Sequence, residues 1–307
     1  MHHRKKTTEQ GETTLTKEVE SLVYEHASLC TCIEVSADNA VGAVDPELLP
    51  LNAAFSVADN LWDIGSTITF SFLNGSPVQH AKVEQCFHNW LSAANLKVNK
   101  VPTAGDVRIT FAPTTSWSLV GKKSQLVAIT SATMQLSGIH PNSTTLSPGE
   151  ARKILHECGH MLGLEHEHQS PASTTVFTRN HAATYQYYRG RLHRSLVARN
   201  VLQLVGEVDL SVYSPFDCMS IMLYDIPACT TNEGHGYPKP MNLSALDRAY
   251  MIMMYPPSPS TGVDAIKGAM STINIPADKQ SELLQETCPS TFRECFMEWV
   301  VEARVNP

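Results

Sequence analysis

Alternating apolar and polar positions mark the first strands of the chain after residue 60. Residues 67–73 alternate in this way, which predicts a strand that ends at the turn residues of 74–77. Apolar side chains then recur at three- and four-residue spacing over 83–94, which is typical of an amphipathic helix. The pattern of residues 107–111 predicts a second strand, and that of residues 126–136 predicts one or two more.

The strongest helical pattern follows at residues 147–162. Ser147 supplies the N-cap, Pro148 the first helical position and Glu150 the third residue after the cap, which together predict a capping box. On a 3.6-residue turn the apolar side chains gather on one side, and His156 and His160 fall opposite. We therefore expect one face of this helix to pack on the core and the other to line a cleft.

Helical spacing also dominates the second half of the chain. Residues 182–204 follow it with an interruption at Gly190, and their arginine-rich side is interpreted as a solvated face. Another helix opens at Ser244 and runs to residue 255, after which the proline-rich stretch 256–260 marks a boundary. Residues 261–307 then predict a small helical unit with an apolar face of Phe292, Phe296, Trp299 and Val300.

These patterns divide the chain into three parts. Residues 1–60 have no strong period apart from a short helical pattern at 17–27, and we interpret them as an N-terminal extension that is partly disordered. Residues 61–256 place a strand, a helix and further strands before the histidine-bearing helix, which predicts an α+β fold with that helix packed on the sheet. Residues 257–307 form a linker and a small helical C-terminal appendage.

The stretch HECGHMLGLEH, which begins at His156, has the pattern HExxHxxGxxH. His156 and His160 are four residues apart, so on a helix both imidazoles project from one face toward a single ion. Gly163 can adopt a positive φ, which lets the helix stop and brings His166 back as a third ligand. Three protein ligands leave the fourth position of Zn²⁺ open for water, as in catalytic zinc sites. Glu157 can accept a proton from that water.

Other interpretations of the histidines are weaker. Ordinary core histidines on an amphipathic helix would lie on its apolar side, whereas those of the motif lie opposite. Three histidines outside the motif lack the offsets that a shared metal ion requires, and we do not expect them to be ligands; they are His168, His181 and His193.

Composition and charge exclude several classes of partner. Hydrophobic residues make up 42% and charged residues 17% of the 307, which is typical of a globular protein. A net charge of −7 gives no basic footprint for nucleic acid or an anionic membrane. No apolar run approaches the ~18 residues of a membrane span, and no hydrophobic stretch of a signal peptide follows the basic N-terminus. We therefore expect a monomer that is cytoplasmic or secreted by a non-classical route.

The 8 cysteines are compatible with two redox states. Their even count is typical of a disulfide framework, whereas the lack of a signal peptide favours a reducing compartment. Cys158 lies on the core side of its helix and is predicted to be a buried thiol. Cys30 and Cys32 are too close for a CxxC motif, and Cys288 and Cys295 could form a bridge only in an exported protein. We favour free thiols.

A second motif lies downstream, where residues 220–224 read SIMLY, of the form S-x-M-x-Y. Together with the histidine motif it resembles the Met-turn of the metzincin zinc metalloproteases, and Glu167 directly after His166 makes the chain most similar to the astacin branch. The run HEHQSP from His166 and the segment SWSLVG at 116–121 resemble the astacin-like peptidases of fungi and bacteria. The resemblance extends over residues 60–256.

The resemblance implies a metzincin-type zincin, with a mixed twisted sheet and the active-site helix in an upper subdomain and an irregular, partly helical lower subdomain. It implies that Met222 forms an apolar floor under the metal and that Tyr224 is a weak fifth ligand that swings to stabilise the oxyanion. It further implies that the edge strand of the sheet forms the rim of the cleft, to which an extended peptide adds as a strand. By position, residues 132–136 are that rim, and the alternative is a plain interior strand.

The motif and the resemblance together predict a zinc-dependent metalloendopeptidase that acts on a protein or peptide substrate. Zn²⁺ is bound by His156, His160 and His166, and Glu157 and Tyr224 are the catalytic residues. Two alternatives stay open. One is a narrow-specificity peptide-processing protease that uses the same residues, and the other is a catalytically inactive zinc-binding interaction protein, against which the intact Glu157 argues.

Overall fold

The computed structural model of the protein describes residues 60–204 and 214–305. The predicted N-terminal extension, with its helical pattern at 17–27, lies outside the described residues except for Asn60. Within the described part no helix is long and apolar enough to cross a membrane.

A five-stranded mixed sheet forms the upper part of the described molecule. Its strands are β1 (Thr67–Phe72), β2 (Lys97–Lys100), β3 (Val107–Phe111), β4 (Trp117–Ser118) and β5 (Met134–Leu136), in the order β2-β1-β3-β5-β4. All neighbours are parallel except β4, which pairs antiparallel with β5 at the edge. With the helices beside it, the sheet makes the predicted α+β fold.

The predicted rim strand is wrong in its position. Residues 126–136 contain one strand, β5, and it lies in the interior of the sheet between β3 and β4. The edge beside β5 is formed by β4, and β2 forms the opposite edge. The two residues of β4 are too few to show any alternation in the sequence. Strand β2 also went unpredicted, because its sequence KVNK has mostly exposed side chains and a single apolar position.

Eight helices follow the chain through the described residues. The first, predicted at 83–94, is α1 (Pro77–Leu91), and the helix with the histidine motif is α2 (Pro148–Met161). The helical pattern at 182–204 is divided as expected around Gly190, into α3 (His181–Tyr187) and α4 (Arg194–Val197), and α4 continues into a π-helical turn at Ala198–Leu202. The remaining helices are α5 (Ala245–Met254), α6 (Pro259–Ile273), α7 (Ala277–Leu283) and α8 (Pro289–Val305).

The capping box at the start of α2 is confirmed. The Ser147 hydroxyl accepts from the backbone N–H of Glu150, and a Glu150 carboxylate oxygen accepts from the N–H of Ser147 at 2.9 Å. The other oxygen of Glu150 forms a buried ion pair with Lys82 of α1 at 2.7 Å. Although burial raises it, hydrogen bonds from Lys82, His140 and Ser147 hold the pKa of Glu150 at about 2. The cap therefore also ties α2 to α1.

One continuous core connects the sheet, α1 and α2. Polar atoms of large core side chains satisfy carbonyls of α2: the indole N–H of Trp90 donates to Leu155 at 2.8 Å, and the hydroxyl of Tyr255 donates to Leu162 at 2.7 Å. Since Tyr255 follows α5, this bond joins the second half of the chain to the end of the histidine-bearing helix. The position of α2 is thus fixed from several directions.

The C-terminal helices share this core. Phe292 and Phe296 of α8 are no more than 1% exposed, and the ring of Phe296 lies 6.0 Å from that of Tyr250 on α5. The Arg293 guanidinium donates to the carbonyl of Trp62 at 3.1 Å, at the start of the described chain. Residues 259–305 therefore pack on the rest of the molecule.

The six cysteines in the described residues are free thiols. Cys158 is fully buried, as predicted, and burial raises its pKa well above the ordinary value. Cys288 stands directly before α8 and Cys295 lies within it. Seven residues at a rise of 1.5 Å per residue separate their Cα atoms by about 10 Å, beyond the ~7 Å limit for a disulfide. A bridge between these two thiols is excluded in this structure.

Candidate active site

Three histidine rings from different elements converge in the interior. His156 and His160 lie on consecutive turns of α2, and His166 follows it in the chain; all three are at most 1% exposed. One ring nitrogen from each lies within 4.8 Å of those of the other two. The Nε2 atoms of His160 and His166 are 3.2 Å apart. The structure therefore brings together the three residues that the motif predicts as ligands.

The other nitrogen of each ring is held by an acceptor. The Nδ1–H of His156 donates to the Ile221 carbonyl at 2.8 Å, and that of His160 to the Leu164 carbonyl at 2.7 Å. Because carbonyl oxygens only accept, these bonds fix the proton on Nδ1 and leave the lone pair on Nε2 for a metal.

The third ring is oriented by a side chain. The Oε1 atom of Gln169 lies 2.7 Å from Nδ1 of His166. The amide nitrogen of Gln169 donates to the carbonyls of Arg199 at 2.8 Å and Gln203 at 3.0 Å. Since those carbonyls must face the amide nitrogen, Oε1 must face His166, whose Nδ1 therefore carries the proton.

These residues fit Zn²⁺. Ligand distances of ~2.0–2.1 Å in a tetrahedral site place two nitrogens about 3.3 Å apart, close to the 3.2 Å between His160 and His166. The Nε2 atom of His156 is buried and has no hydrogen-bond partner among the described residues. A buried polar atom without a partner is costly in a folded protein, and a metal ligand bond would satisfy it.

Burial keeps the three imidazoles neutral. It lowers the pKa of His160 to about 4 and those of His156 and His166 well below the ordinary value. Metal binding requires neutral imidazole, so the ligands need not lose a proton when the ion binds near neutral pH.

The turn after α2 requires the glycine that the motif predicts there. Gly163 has φ 103°, a left-handed conformation that other residues rarely adopt. A Cβ atom at this position would lie 2.9 Å from the side chain of Leu61. The positive φ turns the chain back, so that His166 meets the two histidines of the helix.

The 220–224 turn packs directly under α2. A Cβ atom on Gly159 would lie 2.4 Å from the sulfur of Met222, so only glycine allows this approach. Met222 is 2% exposed, and its carbonyl accepts from the N–H of Glu167 at 3.2 Å. The apolar Met222 side chain therefore lies against the helix turn between the first two ligands.

Helix α5 fastens this turn through Asp247. One carboxylate oxygen of Asp247 accepts from the hydroxyl of Ser220 at 2.7 Å, and the other accepts from the N–H of Ile221 at 2.9 Å. Asp247 also closes the capping box of α5 with Ser244. Because the Ile221 carbonyl accepts from His156, the carboxylate of Asp247 supports the first metal ligand through the backbone of a single residue, Ile221.

Tyr224 lies over the histidine cluster. Its ring centroid is 4.3 Å from that of His166 and 5.9 Å from that of His156. The ring of His168 also contacts it, in a tilted arrangement with centroids 4.5 Å apart, and itself stacks on the ring of His166. His168 is fixed by a hydrogen bond of 2.8 Å to the carbonyl of Asn200, and it is not among the converging ring nitrogens.

The face of α2 that carries the histidines was predicted to line a cleft, and its side chains are buried. Glu157 is 1% exposed, as buried as its neighbour His156. The rings of His166 and Tyr224 lie against His156 and cover this face of the helix. Glu157 therefore stands in a nearly water-free environment beside the first ligand.

Glu167, which directly follows the third ligand, holds a hydrogen bond beside the site. It accepts from the backbone N–H of Asp217 at 2.8 Å. Burial raises its pKa to about 8. The bond connects the loop of the third ligand to the segment that leads into the 220–224 turn.

Three positioning residues of this site escaped the sequence analysis: Gln169, Asp247 and Arg152. Arg152 of α2 donates to the carbonyls of Leu223 at 3.0 Å and Pro240 at 3.0 Å, across the base of the turn. Apart from the helix cap, the hydrogen-bond partners of Arg152 and Asp247 are 26–88 residues away in sequence. Besides its contact with His166, Gln169 donates to carbonyls that are 30–34 residues away. The capping-box spacing of Ser244 and Asp247 marked the helix start, but no local signal marked its contact with the turn.

Two solved structures of myroilysin are similar to this chain. One is 29% identical and covers 66% of this chain and 98% of its own, with a TM-score of 0.61. The other is 25% identical and covers 78% of this chain and 96% of its own, with a TM-score of 0.52. The similarity therefore spans nearly the whole of the myroilysin chains.

High choriolytic enzyme 1, a hatching enzyme zinc-protease from Oryzias latipes (Medaka fish), is a more distant neighbour. It is 17% identical and covers 64% of this chain and 95% of its own, with a TM-score of 0.44. No protein-family profile matches the sequence, and no curated protein matches it.

Proposed function

Because this chain is an astacin-like metzincin and a zinc-dependent metalloendopeptidase, we propose that Glu157 is its general base and Tyr224 its oxyanion donor. The observation that carries the proposal is the convergence of the Nε2 atoms of three neutral, buried histidines, each with its Nδ1–H held by an acceptor. Zinc bound by these atoms supplies a Lewis acid that acidifies water and polarises a peptide carbonyl. The substrate is a protein or peptide.

Glu157 is suited to move a proton. It is adjacent to His156 on α2, and its burial strengthens electrostatic interactions with a developing charge. We assign it to accept a proton from the attacking water and to deliver that proton to the nitrogen of the departing amine. Both transfers use the same carboxylate.

Tyr224 is suited to stabilise charge that develops on the carbonyl oxygen. Its ring lies 4.3 Å from the third ligand and packs against both His166 and His168. A phenolic O–H beside the metal site can donate to the oxyanion of the tetrahedral intermediate. Met222 provides the apolar support under the cluster, with no group that takes part in proton transfer.

The edge of the sheet is the surface that we propose for peptide binding. Strand β4 pairs on one side with β5 and has no second strand neighbour in the described sheet. An extended peptide can add to such an edge through backbone hydrogen bonds, which confer affinity without demanding particular side chains. The rim that the sequence placed at 132–136 is therefore reassigned to Trp117 and Ser118.

The experiment that tests the function compares the wild-type chain with Glu157→Gln on a mixed peptide library, with mass spectrometry of the fragments and metal analysis of both proteins. We expect wild type to cut internal peptide bonds. The variant should keep its zinc and lose ~10²–10⁴-fold of its rate, the usual contribution of general acid–base catalysis. Turnover by the variant at the wild-type rate would overturn the role of Glu157, and a zinc-loaded wild type without any cleavage would favour an interaction protein. Fragments from only a few related sequences would favour a processing protease.

We propose that the domain boundary at residue 256 is also a functional boundary. The C-terminal helices support the fold and supply no group to the chemistry. Phe296 is fully buried and contacts the core through Tyr250 of α5. Phe296→Ala should lower the free energy of unfolding by about 3–5 kcal/mol and leave zinc content and kcat of the folded enzyme unchanged. The partly buried Trp299→Ala serves as the milder comparison. A folded, zinc-loaded Phe296→Ala enzyme without activity would show that the appendage belongs to the active site.

We also propose that the enzyme acts as a monomer on polypeptides, without nucleic acid or a membrane. All three ligands and both proposed catalytic residues come from one chain. The net charge of −7 disfavours anionic polymers and anionic lipid surfaces. Light scattering of the zinc-loaded protein across its working concentrations should give the mass of one chain.

A further inference from the structure

An arginine-rich segment follows the metal-ligand loop in an otherwise acidic protein. The chain has 30 acidic and 23 basic residues, yet residues 179–204 contain five arginines and no aspartate, glutamate or lysine. The arginines are Arg179, Arg189, Arg191, Arg194 and Arg199. A solvated helix face would be expected to carry charges of both signs.

Part of this segment lines an open, polar cavity at the surface. A cavity of about 480 Å³ lies between α3 and α4. Arg189 and Arg194 contribute guanidinium groups to its lining, and Gln186 contributes an amide. All three side chains are exposed. The cavity thus has several donors and no carboxylate in its lining.

Aromatic rings hold two of the arginines in place. The guanidinium carbon of Arg194 lies 3.7 Å from the ring centroid of Tyr185, and that of Arg191 lies 5.0 Å from the ring centroid of Tyr187. Stacking uses the flat face of a guanidinium and leaves the N–H groups on its edge available to a planar anion. These contacts favour one position for each of the two guanidinium groups.

Their positive charge is not neutralised within the described part of the chain. The ion pairs found there all use lysines, and none involves Arg189, Arg191 or Arg194. No hydrogen bond within the described residues uses the guanidinium of Arg189 or Arg194 either. The donors that line the cavity are free for a ligand.

The arginine-rich segment also reaches the metal site. The carbonyl of Arg199 accepts from the amide of Gln169 at 2.8 Å, and the same amide group contacts the third ligand, His166, at 2.7 Å. Two hydrogen bonds thus join the backbone that follows α4 to the histidine cluster. The arginine-rich segment therefore adjoins the third ligand in the fold.

We propose that the cavity between α3 and α4 is an anion-binding exosite, in which Arg189 and Arg194 bind carboxylates of an acidic stretch of the polypeptide substrate. The inference rests on the proposed function, because it assigns the acidic stretch to the substrate of that peptidase. Side-chain carboxylates match the geometry of guanidinium groups, which bind them with two parallel hydrogen bonds. Elsewhere the acidic protein repels such a peptide, so the arginines also set where it binds.

An acidic peptide fits these observations better than a long polyanion does. The arginines occupy one segment, and the net charge of the whole chain is −7, so a nucleic acid or a sulfated glycan would extend from the cavity over a repulsive surface. A short run of glutamates can place its charges in the cavity while the rest of the peptide remains neutral.

The first test measures binding in the absence of cleavage. Labelled peptides that contain either a run of glutamates or the same run as glutamines are titrated into the zinc-loaded Glu157→Gln protein, with fluorescence anisotropy at low and high salt. We expect the glutamate peptide to bind more tightly at low salt, and Arg189→Gln with Arg194→Gln to weaken that binding about tenfold, as expected when two exposed charge-assisted contacts are lost. The glutamine peptide should be unaffected.

Matched variants distinguish binding at a specific site from non-specific attraction to positive charge. Lys267→Gln removes one exposed positive charge from α6 and should leave binding of the glutamate peptide unchanged. Arg194→Lys keeps the charge but loses the planar fork, so it should weaken binding to an intermediate extent. If Lys267→Gln weakens binding as much as Arg194→Gln does, the exosite is refuted in favour of non-specific attraction.

The second test uses cleavage of the same peptide pair with Glu157 intact. The paired Arg189→Gln and Arg194→Gln substitutions should raise KM for the glutamate peptide and leave kcat and the cleavage of the glutamine peptide unchanged. Equal KM values for the two peptides in wild type would overturn the inference while leaving the proposed function intact. A protein that binds the glutamate peptide at the arginines but cleaves nothing would refute the proposed function alone. Binding of heparin or single-stranded DNA without binding of the glutamate peptide would also overturn it, in favour of a polyanion site.

Discussion

Two parts of the molecule contribute to the metal site in different ways. The upper part includes the sheet and α2, and the lower part is the irregular chain that follows α2 and carries His166. His156 and His160 come from a regular helix whose cap, core face and spacing are all local properties of the sequence, and their Nδ1 atoms are held by backbone carbonyls. His166 comes from an irregular segment, and its Nδ1 is held by the side chain of Gln169. A backbone acceptor is present whatever side chain stands there, whereas a side-chain acceptor depends on one residue. The lower part is therefore where the site is most sensitive to substitution.

The largest effect should come from removing a ligand, and it should be the same in both parts. His156→Ala and His166→Ala should each lose the tightly bound zinc and with it all measurable peptide cleavage, because two ligands do not hold the ion as three do. Metal analysis after gel filtration measures this directly. His168→Ala is the control, since its ring is fixed by Asn200 and does not join the cluster. Undiminished zinc in His166→Ala would contradict the assignment and identify His168 as the replacement.

A smaller effect is expected from a group of the lower part that acts during the reaction. Tyr224→Phe removes the hydroxyl and keeps the ring that packs against His166 and His168. Zinc content should be unchanged and kcat should fall by up to ~10², as for the loss of one oxyanion donor among several. Steady-state kinetics on a single peptide separates kcat from KM. An unaffected kcat would leave Tyr224 as a packing residue.

A substitution at Gln169 tests most directly the difference between a side-chain acceptor and a backbone acceptor. Gln169→Leu should lower zinc affinity by 10–100-fold, the usual loss when a partner of a metal ligand is removed, although no ligand has changed. Competition with a chelator measures the affinity. Gln203→Leu is the matched control, because its side chain is exposed and only its backbone carbonyl contacts Gln169. Ile221→Ala, which keeps the carbonyl that holds His156, should retain zinc affinity while losing stability. An unchanged affinity in Gln169→Leu would show that the loop holds His166 without help.

The same division explains which features could be predicted from sequence. The histidine-bearing helix, its capping box and the turn at Gly163 follow from local rules, because residues a few positions apart determine them. The three ligands and the 220–224 turn were found from motifs, and the structure brings them together. The fold class followed from the order of strands and helices.

The features that failed depend on distant contacts. Strand β4 is a strand only because β5 pairs with it, and its two residues have no period of their own, so the edge of the sheet was assigned to the wrong segment. Gln169 and Asp247 are common polar residues in sequence, and their importance appears only from what they contact.

The bond between Asp247 and the 220–224 turn has a consequence for how the enzyme is made. Synthesis proceeds from the N-terminus, so a growing chain that ends before residue 221 already contains all three histidines but lacks the carbonyl that orients His156. The turn itself is fastened only after α5 has left the ribosome and folded. We therefore expect proteolytic competence only after α5, which ends at Met254, has emerged and folded.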